Sequence, residues 1–447
     1  MPDSTGDRKL FPEEPAYPES LAQPTAAESP HAADGAVLLA RIRTAGNTSA
    51  DVATGTIAAA ARAAGQIDRQ LIEVAVPGGT RRILVLGWAE GAAPDPGQHP
   101  SAPPRQLSPV QLLTWATCLA AAWPRAEADP YPGTSFRRED VLRACIGMGA
   151  HDRTVVAALR ILSQAGMIRF AGPVGRLGPA AAALPNDTWS ALRRMHDRLP
   201  HAALQQHAAA STGTTASEDA ETVGGARRLP GPPAGPVSIR DTLVRAAVTA
   251  LENAQGPVAR SDLGMLADPA IRHATENVLA GCGRVLILTP EGSWTTGYPD
   301  HIARTLAREQ AGTLGKEQRA VLALVLLRAV AIPRAQGRLD GAAWTSSSHP
   351  VTPDELAANR QVSRTKISDA LQGLRAAGYI ASTPSGGYIL GPAMARLSPA
   401  GVEALWEDLI VLARPNGYMA ERIRARRSGT SAADAGRRAN TDEEEPA

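Results

Sequence analysis

A short run of hydrogen-bond donors and cations stands at the start of a helix predicted late in the chain. The run consists of Ser363, Arg364, Thr365 and Lys366, and Ser368 follows closely. All five side chains donate hydrogen bonds, and two of them are positively charged. The first turn of a helix also carries a partial positive charge, which favours a nearby anion. The chemistry expected here is hydrogen bonding and charge pairing with a polyanion.

Two helices separated by a tight turn are predicted to position this run. Thr352 is a good N-cap and Glu355 stands three residues later, which predicts a helix over 353–360. Ser363 caps a second helix over 364–377, which is amphipathic because its apolar residues recur at intervals of three or four. The apolar positions expected to be buried are Ile367, Leu371 and Leu374.

A glycine-bearing hairpin over 379–390 follows the second helix, so the order is helix, turn, helix, hairpin. A helix in this setting fits the major groove of B-DNA, which is about 12 Å wide. Arg364 is then expected to pair with guanine O6 and N7, and the hairpin tip lies near the minor groove or the backbone. The residues predicted to contact DNA in this module are Arg360, Ser363, Arg364, Thr365, Lys366, Ser368, Thr383 and Ser385.

The stretch 354–380, DELAANRQVSRTKISDALQGLRAAGYI, resembles the winged helix-turn-helix of bacterial regulators of the MarR and GntR type. The resemblance implies duplex DNA as partner and recognition-helix contacts at Ser363, Arg364, Thr365 and Lys366. It is confined to the region around 310–400. The chain departs from the family in having several modules and no recognisable ligand-binding domain, so an effector site is not supported.

The two halves of the chain are related in sequence, because 107–200 and 314–412 follow the same plan. Each has an apolar helix ending in Pro-Arg-Ala, then a short helix, and then a matching second helix. A hairpin leads each half to Leu-Gly-Pro-Ala, and a helix with a tryptophan closes it, at Trp189 or Trp406. The stretches 35–90 and 238–309 share a fainter plan of helices followed by strands.

The fold class predicted from these patterns is α+β and mainly helical, with tandem winged-helix modules in two related pairs joined by a disordered linker. The alternative is two winged helices and two generic packing modules. The predicted divisions are a disordered tail 1–33, units 35–90 and 107–200, a disordered linker 205–237, a unit 238–309, the DNA-binding module 310–427 and a disordered acidic tail 428–447.

The module in the first half is a weaker candidate for DNA binding. Its second helix opens with Asp152, whose charge repels phosphate, and the preceding turn is longer than in the second half. It is expected either to contact the DNA backbone alone or to pack against protein. Its predicted contact residues are Arg153, Thr154, Arg169 and Arg176.

Composition sets broad limits on the class of protein. The chain has 447 residues, 44% hydrophobic and 4% aromatic, with a net charge of +2 and three widely spaced cysteines. The cysteines are expected to be reduced thiols. No signal sequence or membrane span is predicted, so the expected location is the bacterial cytoplasm, in association with the nucleoid.

Catalysis is not expected, because the sequence has no HExxH motif, no phosphate-binding loop and no paired-carboxylate pattern. No cofactor and no metal are predicted. The predicted partner is double-stranded DNA, with a second copy or another protein bound through the N-terminal half as a further interaction. The leading function is a sequence-specific transcriptional regulator. The alternatives are a plasmid or phage replication or maintenance protein, and a winged-helix adaptor in a condensin-like segregation complex.

Overall fold

The fold is α+β and mainly helical, with small antiparallel sheets, as the sequence predicted. The structure is a computed structural model. Within the residues that it describes, no helix is both long enough and apolar enough to cross a membrane. It describes residues 30–76, 80–92, 106–208, 226–231, 238–339, 349–358 and 362–441.

The first half begins with a helical unit and continues into three helices and a hairpin. Strand β7, near the end of this half, joins the sheet of the first unit, whose strand order is β1-β3-β2-β7. The elements are α1 (Pro30–Ala45), β1 (Thr48–Ser49), α2 (Thr54–Gln66), β2 (Arg69–Ala75), β3 (Arg82–Trp88), α3 (Pro109–Ala122), β4 (Phe136–Arg137), α4 (Arg138–Gly147), α5 (Asp152–Gln164), β5 (Ile168–Ala171), β6 (Val174–Leu177), α6 (Pro179–Ala182), α7 (Asn186–Arg194), α8 (His201–Ala208) and β7 (Arg227–Arg228).

The second half has a related order with fewer strands and an additional helix, α11, after the β8–β9 hairpin. A π-helical turn, Leu327–Ala331, joins α12 to α13 within one apolar stretch. The elements are α9 (Ile239–Asn253), α10 (Pro269–Gly281), β8 (Val285–Leu288), β9 (Trp294–Gly297), α11 (Asp300–Arg308), α12 (Lys316–Leu326), α13 (Ile332–Ala335), α14 (Pro353–Ala357), α15 (Arg364–Ala376), β10 (Ile380–Ser382), β11 (Tyr388–Leu390), α16 (Pro399–Ala413) and α17 (Tyr418–Thr441).

The opening units of the two halves share one hydrophobic core, here called the shared core. Helices α1 and α2 and the β2–β3 hairpin contribute one side of it, and α9, α10 and β9 contribute the other. Each unit is therefore buried against the other rather than closed on itself. Its fully buried side chains include Leu38, Leu39, Ile42, Leu71, Leu84, Val248, Leu263 and Leu279.

The β2–β3 hairpin is buried on both faces, which explains its nearly continuous apolar sequence. Leu71 and Leu84 point into the shared core, whereas Ile72, Val74 and Val85 point into a second core. That second core is formed with α3, α4, α5 and the β5–β6 hairpin. The hairpin therefore connects the module 107–200 to the unit 35–90.

A third core holds the module in the second half together by itself. Helices α12, α14, α15 and α16 surround it, and the β10–β11 hairpin covers one side. Ile367, Leu371 and Leu374 are all buried here, as the spacing along α15 predicted. The unit bounds drawn from the sequence stay a prediction, since the cores join units 35–90 and 238–309 to each other.

The two halves turn from helix to hairpin in the same way. Gly166 after α5 and Gly378 after α15 both have positive φ, +72° and +78°, which ends each helix. Gly178 N donates to Met167 O at 2.7 Å, and Gly391 N donates to Tyr379 O at 2.7 Å. When the two halves are aligned on these matching hydrogen bonds, Asp152 of α5 and Arg364 of α15 occupy equivalent positions. The pairs Arg153-Thr154 and Arg364-Thr365, with which the matching second helices open in the sequence, are therefore displaced by one position relative to each other.

Gly391 is packed so closely that alanine cannot replace it without a shift of the backbone. A Cβ at this position would lie 2.3 Å from the carbonyl oxygen of Gly378. We expect Gly391→Ala to lower the free energy of unfolding by about 1–3 kcal/mol, as measured by urea denaturation. Gly264→Ala is the control, because nothing lies within 4 Å of its Cβ, and we expect a change within about 0.5 kcal/mol. Equal stability of the two variants would contradict the close packing at Gly391.

Parts of the three segments that were predicted to be disordered form helices or a strand. Helix α1 begins at Pro30, β7 lies within 205–237, and α17 continues to Thr441. Strand β7 is held because Arg227 and Arg228 pair with Glu73 and Ile72 of β2. Low hydrophobicity predicted a free linker there, but backbone pairing with an existing sheet does not require apolar side chains.

Candidate nucleic-acid interface

The first turn of α15 presents the predicted run of donors to solvent. Ser363 caps the helix, and its Oγ accepts from Lys366 N at 3.4 Å. The side chains of Arg364, Thr365, Lys366 and Ser368 are exposed. The neighbouring α14 begins with the predicted capping box, in which Thr352 N donates to the Glu355 carboxylate at 2.7 Å. The start of α15 is therefore fixed in place while its polar side chains are exposed to solvent.

The two cations of this run are paired with acids from other helices. Arg364 Nη2 lies 2.8 Å from Asp354 Oδ1 on α14, and Lys366 Nζ lies 3.4 Å from Glu317 Oε1 on α12. The pKa of Glu317 is lowered by a backbone hydrogen bond at its own position and by Lys366. All four side chains are about half exposed or more, so solvent screens both pairs and either cation can exchange its partner for another anion.

The hairpin after α15 ends in a compact tip. Thr383 N donates to Gly387 O at 2.8 Å, and Gly386 has a φ of +83°. The hydroxyls of Thr383 and Ser385 lie 2.9 Å apart and bind one another. The Thr383 hydroxyl also donates to Gly387 O at 3.2 Å and accepts from Gly387 N at 3.1 Å, so its hydrogen-bonding capacity is used within the tip. Arg360, predicted to contact DNA from the turn before α15, lies outside the described residues.

The equivalent helix of the first half presents a different surface. His151 stands at its N-cap position without a capping side-chain hydrogen bond, and Asp152 occupies its first turn. Arg153 and Thr154 are exposed, but the Thr154 hydroxyl donates back to His151 O at 2.6 Å. Asp152 takes the place of Arg364, so the charge at this position is reversed between the halves.

The two remaining predicted contacts, Arg169 and Arg176, do not lie at the hairpin tip of the first half. They face each other across β5 and β6, and both are exposed. The tip itself is formed by residues 171–174, where Ala171 pairs with Val174. Arg137 of β4 pairs with Val174 and is exposed on the same face, a cation that the sequence reasoning missed.

Helices α5 and α15 come close to each other at equivalent positions. Arg160 Nη1 donates to Gln372 Oε1 at 3.2 Å. From this contact each helix extends eight residues back to its first turn, which is about 12 Å of helix.

A buried cluster of charges joins the two halves, and no pattern in the sequence predicted it. Glu252 of α9 is almost fully buried; its carboxylate lies 3.0 Å from Arg43 Nη2 of α1 and 3.2 Å from Nε of Arg284, the residue before β8. Burial raises the pKa of Glu252, but the field of Arg43, Arg284, Arg69 and Arg396 outweighs it and lowers the pKa overall. Arg396 Nη2 also donates to Ala254 O at 3.0 Å.

Two arginines of this cluster also lie over aromatic rings. Burial lowers the pKa of Arg69 to about 10, and its guanidinium lies 3.4 Å over the Trp88 ring. Arg284 lies over Tyr298 in the same manner, at 4.7 Å. One carboxylate thus balances several guanidinium groups drawn from both halves.

Three observations bear on other kinds of site. Trp115 and Trp123 are buried, and Trp189 and Trp406 pack against cores, so none is a free stacking platform. Cys118, Cys145 and Cys282 are free and buried. Across the described ranges, no group of three or more His, Cys, Asp or Glu side chains could hold a metal ion.

Comparison of the chain with models of protein families, with curated proteins and with solved structures gave no match.

Proposed function

We propose that the chain is a duplex DNA-binding protein and a sequence-specific transcriptional regulator, with α15 as its recognition helix. The observation that carries this proposal is the exposed, capped first turn of α15, where Arg364, Thr365 and Lys366 stand free of the core. Helices entering the major groove contact base edges from this turn. Arg364 suits guanine, and Lys366 suits phosphate or base.

In this proposal the modules 107–200 and 310–427 are both winged helices, because the order of their helices and strands is that of a winged helix. In the first half the order is α3, β4, α4, α5, β5, β6, with β6 between β4 and β5 in the sheet. In the second half the isolated bridge between Val351 and Tyr388 takes the place of β4. Three helices with a three-stranded sheet in this order support a winged-helix assignment.

The small net charge of the chain is compatible with this role, because only one face has to meet DNA. The acids Asp354 and Glu317 keep the cations of α15 paired until phosphate or guanine replaces them. Such an exchange favours a well-matched duplex over any polyanion, since the lost pairs must be replaced by contacts of good geometry. This supports a sequence-specific regulator over a general DNA coat.

Binding across a salt series tests the proposal directly. The full chain is titrated with a random duplex and with a duplex selected from a library, between 50 and 300 mM salt. We expect an enriched motif. We also expect a slope of log affinity against log salt of roughly −4, which corresponds to about four phosphate contacts at about −0.9 each.

The other outcomes of this experiment each point away from a regulator. A steep slope without an enriched motif indicates an architectural or maintenance protein of the chromosome or a plasmid. Absence of binding at the lowest salt contradicts DNA binding and favours the adaptor hypothesis, in which winged helices bind protein.

A further inference from the structure

A cavity of about 240 Å³ lies between the unit 35–90 and the module 107–200. Val76 and Ile83 of unit 35–90 and Leu177 and Pro179 of the module 107–200 give the cavity an aliphatic floor, and Phe170 adds an aromatic ring to its lining. Arg169 and Arg176 line the same cavity, and so does Tyr131. The cavity thus combines an apolar interior with two cations.

The two arginines have no counter-charge in the part of the chain that the structure describes. No Asp or Glu forms an ion pair with Arg169 or Arg176 there, although they stand directly opposite each other on β5 and β6. Like charges in directly opposed positions destabilise a sheet. Arg137 adds a third exposed cation to the same face. An anion bound beside the two guanidinium groups would reduce this repulsion.

The second half shows that the fold does not need these arginines. Ala381 and Ile389 form the corresponding cross-strand pair of β10 and β11. The hairpin of that half forms without cations at these positions. The arginine pair is therefore an addition specific to the first half, where it borders the cavity.

Tyr131 supplies a neutral donor to the cavity. Its side chain is buried, and burial raises its pKa to about 12, with Arg169 acting in the opposite direction. The hydroxyl is therefore protonated at neutral pH. Within the described residues it has no hydrogen-bond partner, so its proton is available to a ligand oxygen.

From these contacts we infer that the cavity is a binding site for a small organic anion, with its carboxylate held by Arg169, Arg176 and Tyr131 and its apolar body against the aliphatic floor. Guanidinium groups bind carboxylates through paired, charge-assisted hydrogen bonds. The volume limits the ligand to a short chain or a single ring. Because the lining residues come from two parts of the chain, a bound anion would stabilise the contact between the unit 35–90 and the module 107–200. The inference does not depend on DNA binding.

A series of straight-chain carboxylates from acetate to octanoate tests the site by calorimetric titration of the full chain. We expect affinity to rise about fourfold for each added methylene until the cavity is filled. The alcohol of equal length is the matched ligand, and we expect it to bind at least tenfold more weakly, because it lacks the charge.

Two variants separate the cations from the hydroxyl. Arg169→Ala combined with Arg176→Ala is expected to weaken carboxylate binding at least tenfold, and Tyr131→Phe to weaken it severalfold. Both arginines are exposed, so the double variant should fold, with a melting temperature no lower than that of the parent chain. Ile389→Ala, at the corresponding pair in the second half, is the control and should bind carboxylates unchanged.

Each contrary result overturns the inference. Equal binding of alcohol and carboxylate would show that the cations play no part, and absence of any carboxylate binding would remove the site. If carboxylates do not bind and the double variant instead lowers the salt slope of DNA binding by about two, the arginines serve DNA phosphates.

Discussion

Replacing Glu252 by glutamine is expected to lower the free energy of unfolding by about 3–5 kcal/mol. The side chain keeps its shape, but Arg43 and Arg284 lose the carboxylate that lies 3.0 and 3.2 Å away. Both guanidinium groups are buried, so water cannot take its place. Urea denaturation followed by circular dichroism measures the loss.

The pH dependence distinguishes lost charge from altered packing. The pKa of Glu252 is lowered in the folded chain, so its contribution is complete above the ordinary carboxyl pKa and is lost as the pH falls through the lower folded value. We therefore expect the stability gap between parent and Glu252→Gln to close in acid. A gap that stays constant with pH would assign the effect to packing.

Glu309→Gln is the matched control for this experiment. Glu309 also joins the halves through an ion pair, with Arg41 of α1, but both side chains are about one third exposed. Solvent screens such a pair, so we expect a loss of no more than about 1 kcal/mol. Similar losses for the two variants would contradict the special role of the buried cluster.

Replacing Arg364 and Lys366 by alanine is expected to weaken binding to the selected duplex by more than tenfold. A bidentate contact from arginine to guanine discriminates by about 1–3 kcal/mol, and the lysine adds a phosphate or base contact. Their present partners, Asp354 and Glu317, hold them only through exposed pairs. Competition binding against random duplex at fixed salt measures both affinity and preference.

A cation at the other end of the same helix provides the control for charge alone. Arg375 is exposed in the last turn of α15, where its Nη1 donates to Ser382 Oγ at 3.3 Å. Arg375→Ala should change affinity for random and selected duplex alike, and by less than the double variant. Unchanged binding of the Arg364 and Lys366 variant would remove α15 as the recognition helix.

Local signals in the sequence were sufficient to predict the framework of the candidate site. The caps at Thr352 and Ser363, the apolar spacing along α15 and the turn at Gly378 each depend on neighbours within one or two helical turns. The structure contains all of them, and α15 ends one residue earlier than predicted. The roles assigned to the exposed residues stay predictions.

The partners of those residues could not be predicted, because they come from distant parts of the chain. Glu317 reaches Lys366 only because α12 packs against α15, and Glu252 is buried only because Arg43 arrives from the other half. The sequence pattern alone predicts that Glu252 is a polar residue at the edge of an amphipathic helix. Similarly, matching the Arg-Thr pairs by letter concealed that Asp152 and Arg364 occupy equivalent positions.

The shared core has a consequence for the synthesis of the chain on the ribosome. Leu38, Leu39 and Ile42 of α1 pack against residues of α9 and α10, which follow about 200 residues later. At 5–20 residues per second, α1 waits roughly 10–40 s for these partners. The module 107–200 can fold sooner, because its core needs only the β2–β3 hairpin. The nascent first half therefore carries an uncovered apolar face while its own module is already formed, and this interval is when it depends most on chaperones.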